Sequence, residues 1–462
     1  MEIKLTNSLG KEKQIFKPIK NGEVGIYSCG PTVYNYAHIG NLRAYVFADI
    51  LKRVFLFNNY KVKHVINITD VGHLSDDADE GEDKLEKGAK REGKTVWDIA
   101  KFYTETFYSN MKDLNIIDPD VYCKATEHIQ EMIDMNLKLE KKGFTYVSEG
   151  NLYFNTANFD NYWNLIGKKQ DEDSQKSRVD HDEHKKNKTD FVLWFTRHKH
   201  GNHAMEWNSP WGVGFPGWHI ECSAMSSKYL GETFDIHTGG IDHIPIHHTN
   251  EIAQAECAFG HKWVNYWLHN EFLVVKDLEK MSKSKDNFLR LQTLKNEGYS
   301  PLDYRYFLLG THYRKKILFS WEALIGAKNS LKKLKNKILE LKKENSDFRA
   351  EKFNEYLLKF NSSINDDLNT PQALAIIWDC LNDEIGSKTK LKLVTEFDKV
   401  LGLKLLEEEI VDVPKEIKLI AEKRWVAKQN KLWEESDKLR DELKQKGYEI
   451  LDSKDSYQIK RI

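Results

Sequence analysis

Lys280-Met281-Ser282-Lys283-Ser284 sets two cations and two hydroxyls around one methionine, a loop composition suited to the oxygens of a triphosphate. Far upstream, His38-Ile39-Gly40-Asn41 falls where a strand gives way to a helix. Backbone amides and the helix dipole favour a phosphate there, and Gly40 removes a side chain that would hold off a base or ribose. Alone, these four residues also fit a glycine needed for tight strand-to-helix packing beside a surface histidine. His247 and Glu251 form a third group: four apart on a helix, they share one face and can reach one cation. Two thiolates could complete such a set. Cys29 ends the first strand and Cys222 lies in the helix before His247, so each half of the sheet could bring one cysteine. Cysteines so distant in the chain are also commonly inert core thiols, and spacing alone leaves both readings open.

These groups need elements to position them. Glu23–Ser28 (EVGIYS) and Lys61–Ile68 (KVKHVINI) read as strands, and residues 40–57 between them carry apolar side chains at helical spacing, which makes a βαβ unit. Ligands in open parallel sheets gather beyond the carboxyl ends of the strands, where His38 falls. A second such half is expected from a helix over 218–229, a strand over 233–237 running into Gly239-Gly240, a helix over 250–259 and a buried strand over 272–275. Amphipathic helices are expected over 95–114 and 127–142. The acidic run 76–83 (DDADEGED) is expected in solvent. Residues 168–190 hold one aliphatic side chain, Val179, and are expected as an exposed loop of an inserted module. From 322 to 406 and from 416 to 446 the pattern is helical. The expected fold is α/β: a Rossmann-type parallel-sheet catalytic domain with an inserted module, followed by an all-α bundle. The expected divisions are 1–120 and 206–312 for the two catalytic halves, 121–205 for the insert, 313–412 for the bundle and 413–462 for a small terminal lobe.

The 462 residues carry 70 Lys and Arg against 71 Asp and Glu, a net charge of -1, so no global field advertises nucleic acid and any polyanion site must be local. The densest basic stretch runs from Tyr313 to Lys343, with ten Lys or Arg and two acids. Five scattered cysteines do not resemble a disulfide framework, and neither a leader-like apolar run nor a membrane-length one is visible. A reducing cytoplasm is the expected compartment, with no membrane partner.

HIGN and KMSKS, in that order, resemble the two signatures of class I aminoacyl-tRNA synthetases. Within that class the chain resembles the cysteinyl-tRNA synthetases, through 27–34 (YSCGPTVY), 67–70 (NITD), 190–194 (DFVLW), 209–212 (SPWG), 216–225 (PGWHIECSAM), 247–254 (HHTNEIAQ) and 366–374 (DDLNTPQAL). PGWHIECSAM is the most specific. The resemblance implies a ligase that activates L-cysteine with ATP and Mg2+ to cysteinyl-adenylate and transfers it to the 3′ end of tRNA(Cys), as a monomer. It implies one Zn2+ on Cys29, Cys222, His247 and Glu251, with Gly30, Thr69 and Trp218 around the cysteine. ATP is implied at His38, Gly40, Asn41, Lys280, Ser282, Lys283 and Ser284, with His38, Lys280 and Lys283 catalytic. The helical third is implied to bind the anticodon arm, with Arg424, Trp425, Trp433 and Arg440 near exposed bases. Asn41 departs from the family pattern, where a histidine is usual. So do Phe215, often an arginine, residues 239–251 (GGIDHIPIHHTNE) and Val71-Gly72-His73. His243 and His248 are alternative ligand candidates. Two rivals remain: a ligase joining cysteine to an amino sugar, which usually lacks such a helical tail, and an RNA chaperone or sensor without catalysis.

Overall fold

The computed structural model describes residues 2–72, 83–167, 184–196, 203–276, 289–344, 346–407, 414–452 and 456–461. They form two compact units, Met1–Leu405 and Leu406–Ile462. The first is built on a five-stranded sheet in the order Val264–Asn270, Phe234–Gly240, Glu23–Ser28, Lys61–Ile68, Val121–Lys124. Every pairing is parallel, and parallel neighbours need long crossovers, which the helices supply. The strand order reverses between Glu23–Ser28 and Phe234–Gly240. That reversal opens a crevice at their carboxyl ends, where Cys29 and Gly240 lie.

The helix Ile39–Phe57, called below the signature helix, buries Leu42, Val46, Ile50 and Val54, and also Arg43, Asp49, Lys52 and Arg53. Charges at such depth require partners. Asp49 takes Arg53 Nε at 2.8 Å, the Arg305 guanidinium and Ile117 N–H, and both arginines also donate to carbonyls at residues 114–115 and 399–401. One carboxylate thereby ties the signature helix to Pro301–Leu309 and to the end of Ser387–Leu401.

Between the halves of the sheet, Thr145–Ser148, Asn151–Phe154, Phe191–Phe195 and Phe215–Pro216 pair antiparallel in that order. Leu152, Phe154, Leu193 and Trp194 share one core with Ile220 and Ala224 of the helix Trp218–Leu230, so the insert's sheet packs directly behind the site. Residues 184–190 close on it through Asp190, which accepts from Thr156 N–H and Oγ1 and from Tyr146.

Two expectations fail here. Leu273–Val275 is half exposed, because among the described residues its one partner is the three-residue strand Ile317–Phe319. Asp83, last of the acidic run, is buried: it caps Lys84–Glu92 and pairs with His203 at 2.8 Å. The second unit packs Lys415–Gln429 and Trp433–Gln445 against an antiparallel hairpin, Tyr448–Asp452 with Tyr457–Arg461, around Ile417, Ile420, Ala421, Leu443, Tyr448 and Ile450. Among the described residues no helix is long and apolar enough to cross a membrane.

Candidate active site

The first strand ends in Cys29, whose N–H donates to Thr238 O of the neighbouring strand at 3.2 Å. Gly30 then passes so close to the next strand that an added Cβ would lie 1.5 Å from Asn67 O, and its N–H donates to Asn67 Oδ1 at 2.7 Å. Only glycine fits this approach. Opposite, Phe234–Gly240 ends in two glycines. A Cβ on Gly239 would meet His248 and His243 rings at 2.7 and 2.8 Å, and one on Gly240 would meet Asp242 at 2.3 Å. Gly239 makes room for two imidazoles, and Gly240 for the Asp242 carboxylate. The chain then enters a π-helical turn, Ile244–His248, before the helix Thr249–Phe259. Such turns are frequent at functional sites, and this one carries His247.

The side chains of Cys29, Cys222, His247 and Glu251 converge so that one ligand atom from each lies within 4.8 Å of all the others. Glu251 is fully buried. Its Oε2 accepts from His237 Nε2 at 2.7 Å, while Oε1 lies 2.9 Å from His247 Nε2 yet has no hydrogen-bond partner among the described residues. Two ligand atoms this close lie within reach of one shared cation. Burial works against the Glu251 carboxylate, but His237 and His247 hold it down at about 2. Burial likewise works against the His247 imidazolium, and Glu251 raises it to about 10. Of the thiols, burial pushes Cys29 up; Cys222 is lowered because bonding from Cys29 and His247 outweighs its burial.

A second convergent set shares two of these groups: Cys29, His237, His248 and Glu251. Its imidazoles are otherwise engaged. His237 Nε2 bonds Glu251, and His248 bonds Cys29 Sγ at 3.2 Å through Nε2 and His269 at 2.7 Å through Nδ1. His269 passes the chain to Ser8 Oγ at 2.7 Å. These residues orient the donors from behind, as His219 does through His247 Nδ1 at 2.8 Å. The Cys29, Cys222, His247 and Glu251 set has the sulfur, nitrogen and carboxylate chemistry of a tetrahedral zinc site.

Trp218, first residue of its helix, stacks on His247 with ring centroids 4.1 Å apart, and Lys84 Nζ lies 5.6 Å above the indole. Thr69 is buried, donating to Glu221 at 2.7 Å and accepting from Asn67 Nδ2 at 3.1 Å. His38 caps the signature helix: its Nδ1 accepts from Asn41 N–H at 3.1 Å, and Asn41 Oδ1 accepts from His38 N–H at 3.2 Å. Burial lowers the His38 imidazole, so the neutral ring carries its proton on Nε2. Asn41 thus closes a reciprocal cap. Gly40 has a local reason as well, since a Cβ there would sit 3.0 Å from the His38 ring. Lys280, Ser282, Lys283 and Ser284 lie outside the described residues.

The family model for the catalytic domain of class I (C) tRNA synthetases matches residues 15–329. A cysteine–tRNA ligase of Treponema denticola is 47% identical over 97% of this chain and 97% of its own length. Cysteine–tRNA ligase 1 of Burkholderia lata is 44% identical over 99% and 97%. The chain belongs to the cysteine–tRNA ligases. As a cysteine–tRNA ligase it is a class I aminoacyl-tRNA synthetase, an enzyme that acts with ATP, an amino acid and tRNA. A solved Mycobacterium tuberculosis methionyl-tRNA synthetase shares the fold at TM-score 0.56 and 14% identity, covering 82% of this chain and 90% of that one. The Rossmann-type sheet and helical continuation expected from the sequence are therefore present in this cysteine–tRNA ligase.

The sequence singled out all four donors but not the residues that orient them. His237 and His269 gave no signal, and Asn67 entered only as part of the string NITD. His237 occupies a buried strand position, and only the packing of Thr249–Phe259 on that strand reveals its bond to Glu251.

Proposed function

We propose that this cysteine–tRNA ligase activates L-cysteine in the crevice between Glu23–Ser28 and Phe234–Gly240, with Zn2+ held by Cys29, Cys222, His247 and Glu251, and charges tRNA(Cys). Bound there, zinc supplies a soft acceptor that takes a thiolate and leaves a serine hydroxyl weakly held. An apolar pocket would separate the two amino acids by only about 1–3 kcal/mol. Trp218 walls the amino acid against His247, and Gly30 lets the chain after Cys29 lie flush against Asn67 at the floor of the crevice. His38 Nε2–H donates to ATP phosphate oxygens at the mouth of the signature helix, whose amides add to the same field. Lys283 and Lys280 neutralise charge on the leaving pyrophosphate, Ser282, Ser284, Asn41 and Gly40 complete the nucleotide contacts, and Mg2+ rides on the phosphates. The cysteine carboxylate attacks the α-phosphorus to give cysteinyl-adenylate and pyrophosphate, and the terminal ribose hydroxyl of the tRNA then attacks the cysteinyl carbonyl, forming the ester and releasing AMP. No protein nucleophile is needed; positioning and charge stabilisation do the chemistry.

The observation that carries this reading is the convergence of two sulfurs, one imidazole and one carboxylate at the sheet's reversal point. A monomer working in the cytoplasm, with the five-part division given above, completes the proposal. The test is metal analysis of the purified protein together with activation by cysteine and by serine. Zinc near one per chain and a preference for cysteine that falls on chelation are expected. A metal-free, folded enzyme with undiminished preference would refute the role of zinc.

A further inference from the structure

Arg43 has no part in the chemistry above, yet it is buried at 4% exposure and spends both terminal nitrogens of its fork on main-chain carbonyls. Nη1 donates to Glu271 O and Phe272 O, both at 2.6 Å. Nη2 donates to Lys315 O at 2.5 Å, Tyr313 O at 3.2 Å and His312 O at 3.5 Å. Among the described residues no carboxylate pairs with it, and burial lowers the guanidinium to about 10. Burying a charge this way costs stability that an apolar side chain of similar volume would not. What the fork adds is geometry, because one planar group fixes several carbonyls from two segments relative to one helix.

Those segments lead into Leu273–Val275 and Ile317–Phe319, which pair parallel, and Lys276 N–H donates to Phe319 O at 3.0 Å. The start of the same helix holds the chain again from Leu289 onward. Ile39 N–H donates to Leu289 O at 2.8 Å, His38 bridges Arg290 antiparallel, and the Arg290 guanidinium lies 4.3 Å from the Tyr36 ring centroid. Tyr304 hydroxyl donates to Ile39 O at 2.6 Å. The turn that Arg43 grips is also held from its other side, where Asp367 accepts from Tyr313 hydroxyl at 2.7 Å and from Arg314 at 3.2 Å.

We propose that Arg43 is a positioning residue for adenylate formation: its fork fixes the strand pair Leu273–Val275 and Ile317–Phe319 in one frame with His38 at the tip of the signature helix. The role rests on the reading that ATP is activated beside His38. Arg43→Lys keeps the charge and loses the fork, whereas Arg43→Gln loses both. In the full-length enzyme, with rates normalised to titrated active sites, cysteine-dependent ATP–pyrophosphate exchange falls about tenfold in Arg43→Lys and about 100-fold in Arg43→Gln. KM for ATP rises in both, while KM for cysteine stays within about twofold, because Arg43 contacts neither Trp218 nor a zinc donor. Unchanged turnover per active site overturns the proposal, as does a loss that raises both KM values alike. Should Arg43→Gln not fold, amide hydrogen exchange on Arg43→Lys decides. Faster exchange in the two short strands, with Glu23–Ser28 and Phe234–Gly240 at wild-type rates, supports the role, and unaltered protection in the short strands overturns it. A wild-type enzyme without exchange activity would refute the functional reading itself, and the hydrogen-exchange comparison would still judge Arg43.

Discussion

Glu251 shows how much a single buried carboxylate can be asked to do. One oxygen is committed to His237, and the other lies 2.9 Å from His247 Nε2. Glu251→Gln keeps the shape, removes the charge and sets an amide against imidazoles already crowded with protons. Zinc content after dialysis is expected to fall well below one per chain, and KM for cysteine to rise about 100-fold, while far-ultraviolet circular dichroism stays that of the wild type. Elemental analysis and pyrophosphate exchange check this; a variant with a full complement of zinc would remove Glu251 from the donor set. His247 and Glu251 were legible in the sequence because four-residue spacing on a helix fixes a shared face before any tertiary structure is known. His237 and His269 were not legible. A strand position says which side of the sheet a ring is on, but nothing about which helix will cover it.

At the scale of elements, the helix Lys84–Glu92 is pinned through its cap. Asp83 Oδ1 takes Glu86 N–H at 2.7 Å and Oδ2 takes His203 Nε2 at 2.8 Å, both side chains 1% exposed, while the His203 ring stacks on Phe215 with centroids 4.0 Å apart. Burial lowers the imidazole, but Asp83 outweighs it, and His203 is raised above its ordinary 6.5. A base raised on folding binds its proton more tightly in the folded state. Its contribution is therefore complete below about pH 6.5 and fades as pH climbs through the raised value. His203→Gln should lower the unfolding midpoint more at about pH 6 than at about pH 9, by denaturant titration at each pH. An equal deficit at both would show that the pair is neutral when folded. Composition alone placed Asp83 in solvent with its acidic neighbours, because an acidic run says nothing of a histidine 120 residues downstream. The long helices were legible from their apolar period. Val121–Lys124 and Val264–Asn270 were not read as strands, since VYCK is too short and VNYWLHN, buried on both faces, lacks the alternation of a half-exposed strand.

For the whole molecule, net charge near zero means that tRNA must be drawn by local fields. Trp321–Leu341 buries Leu324, Leu331, Leu334 and Ile338 along one stripe, while Lys332 and Lys333 stand exposed, so part of the basic stretch rides on the solvent side of an amphipathic helix in the first unit. A lysine face offers attraction to phosphates but no reading of bases. The second unit differs in kind. It has its own core, holds none of the four converging side chains Cys29, Cys222, His247 and Glu251, and presents the Trp433 indole at 58% exposure, a surface on which an unstacked base can lie. Arg424, expected near exposed bases, is instead buried and spends its guanidinium on Asp452. A chain ending at Leu405 is therefore expected to keep cysteine-dependent pyrophosphate exchange within about threefold, because Cys29, Cys222, His247, Glu251 and His38 all remain in place. Its kcat/KM for charging tRNA should fall by about 100-fold or more, with salt dependence retained through the lysine face. If exchange collapsed with charging, the second unit would be supporting the catalytic fold; if charging were untouched, tRNA recognition would lie wholly within the first unit, and Trp433 would have no base to meet.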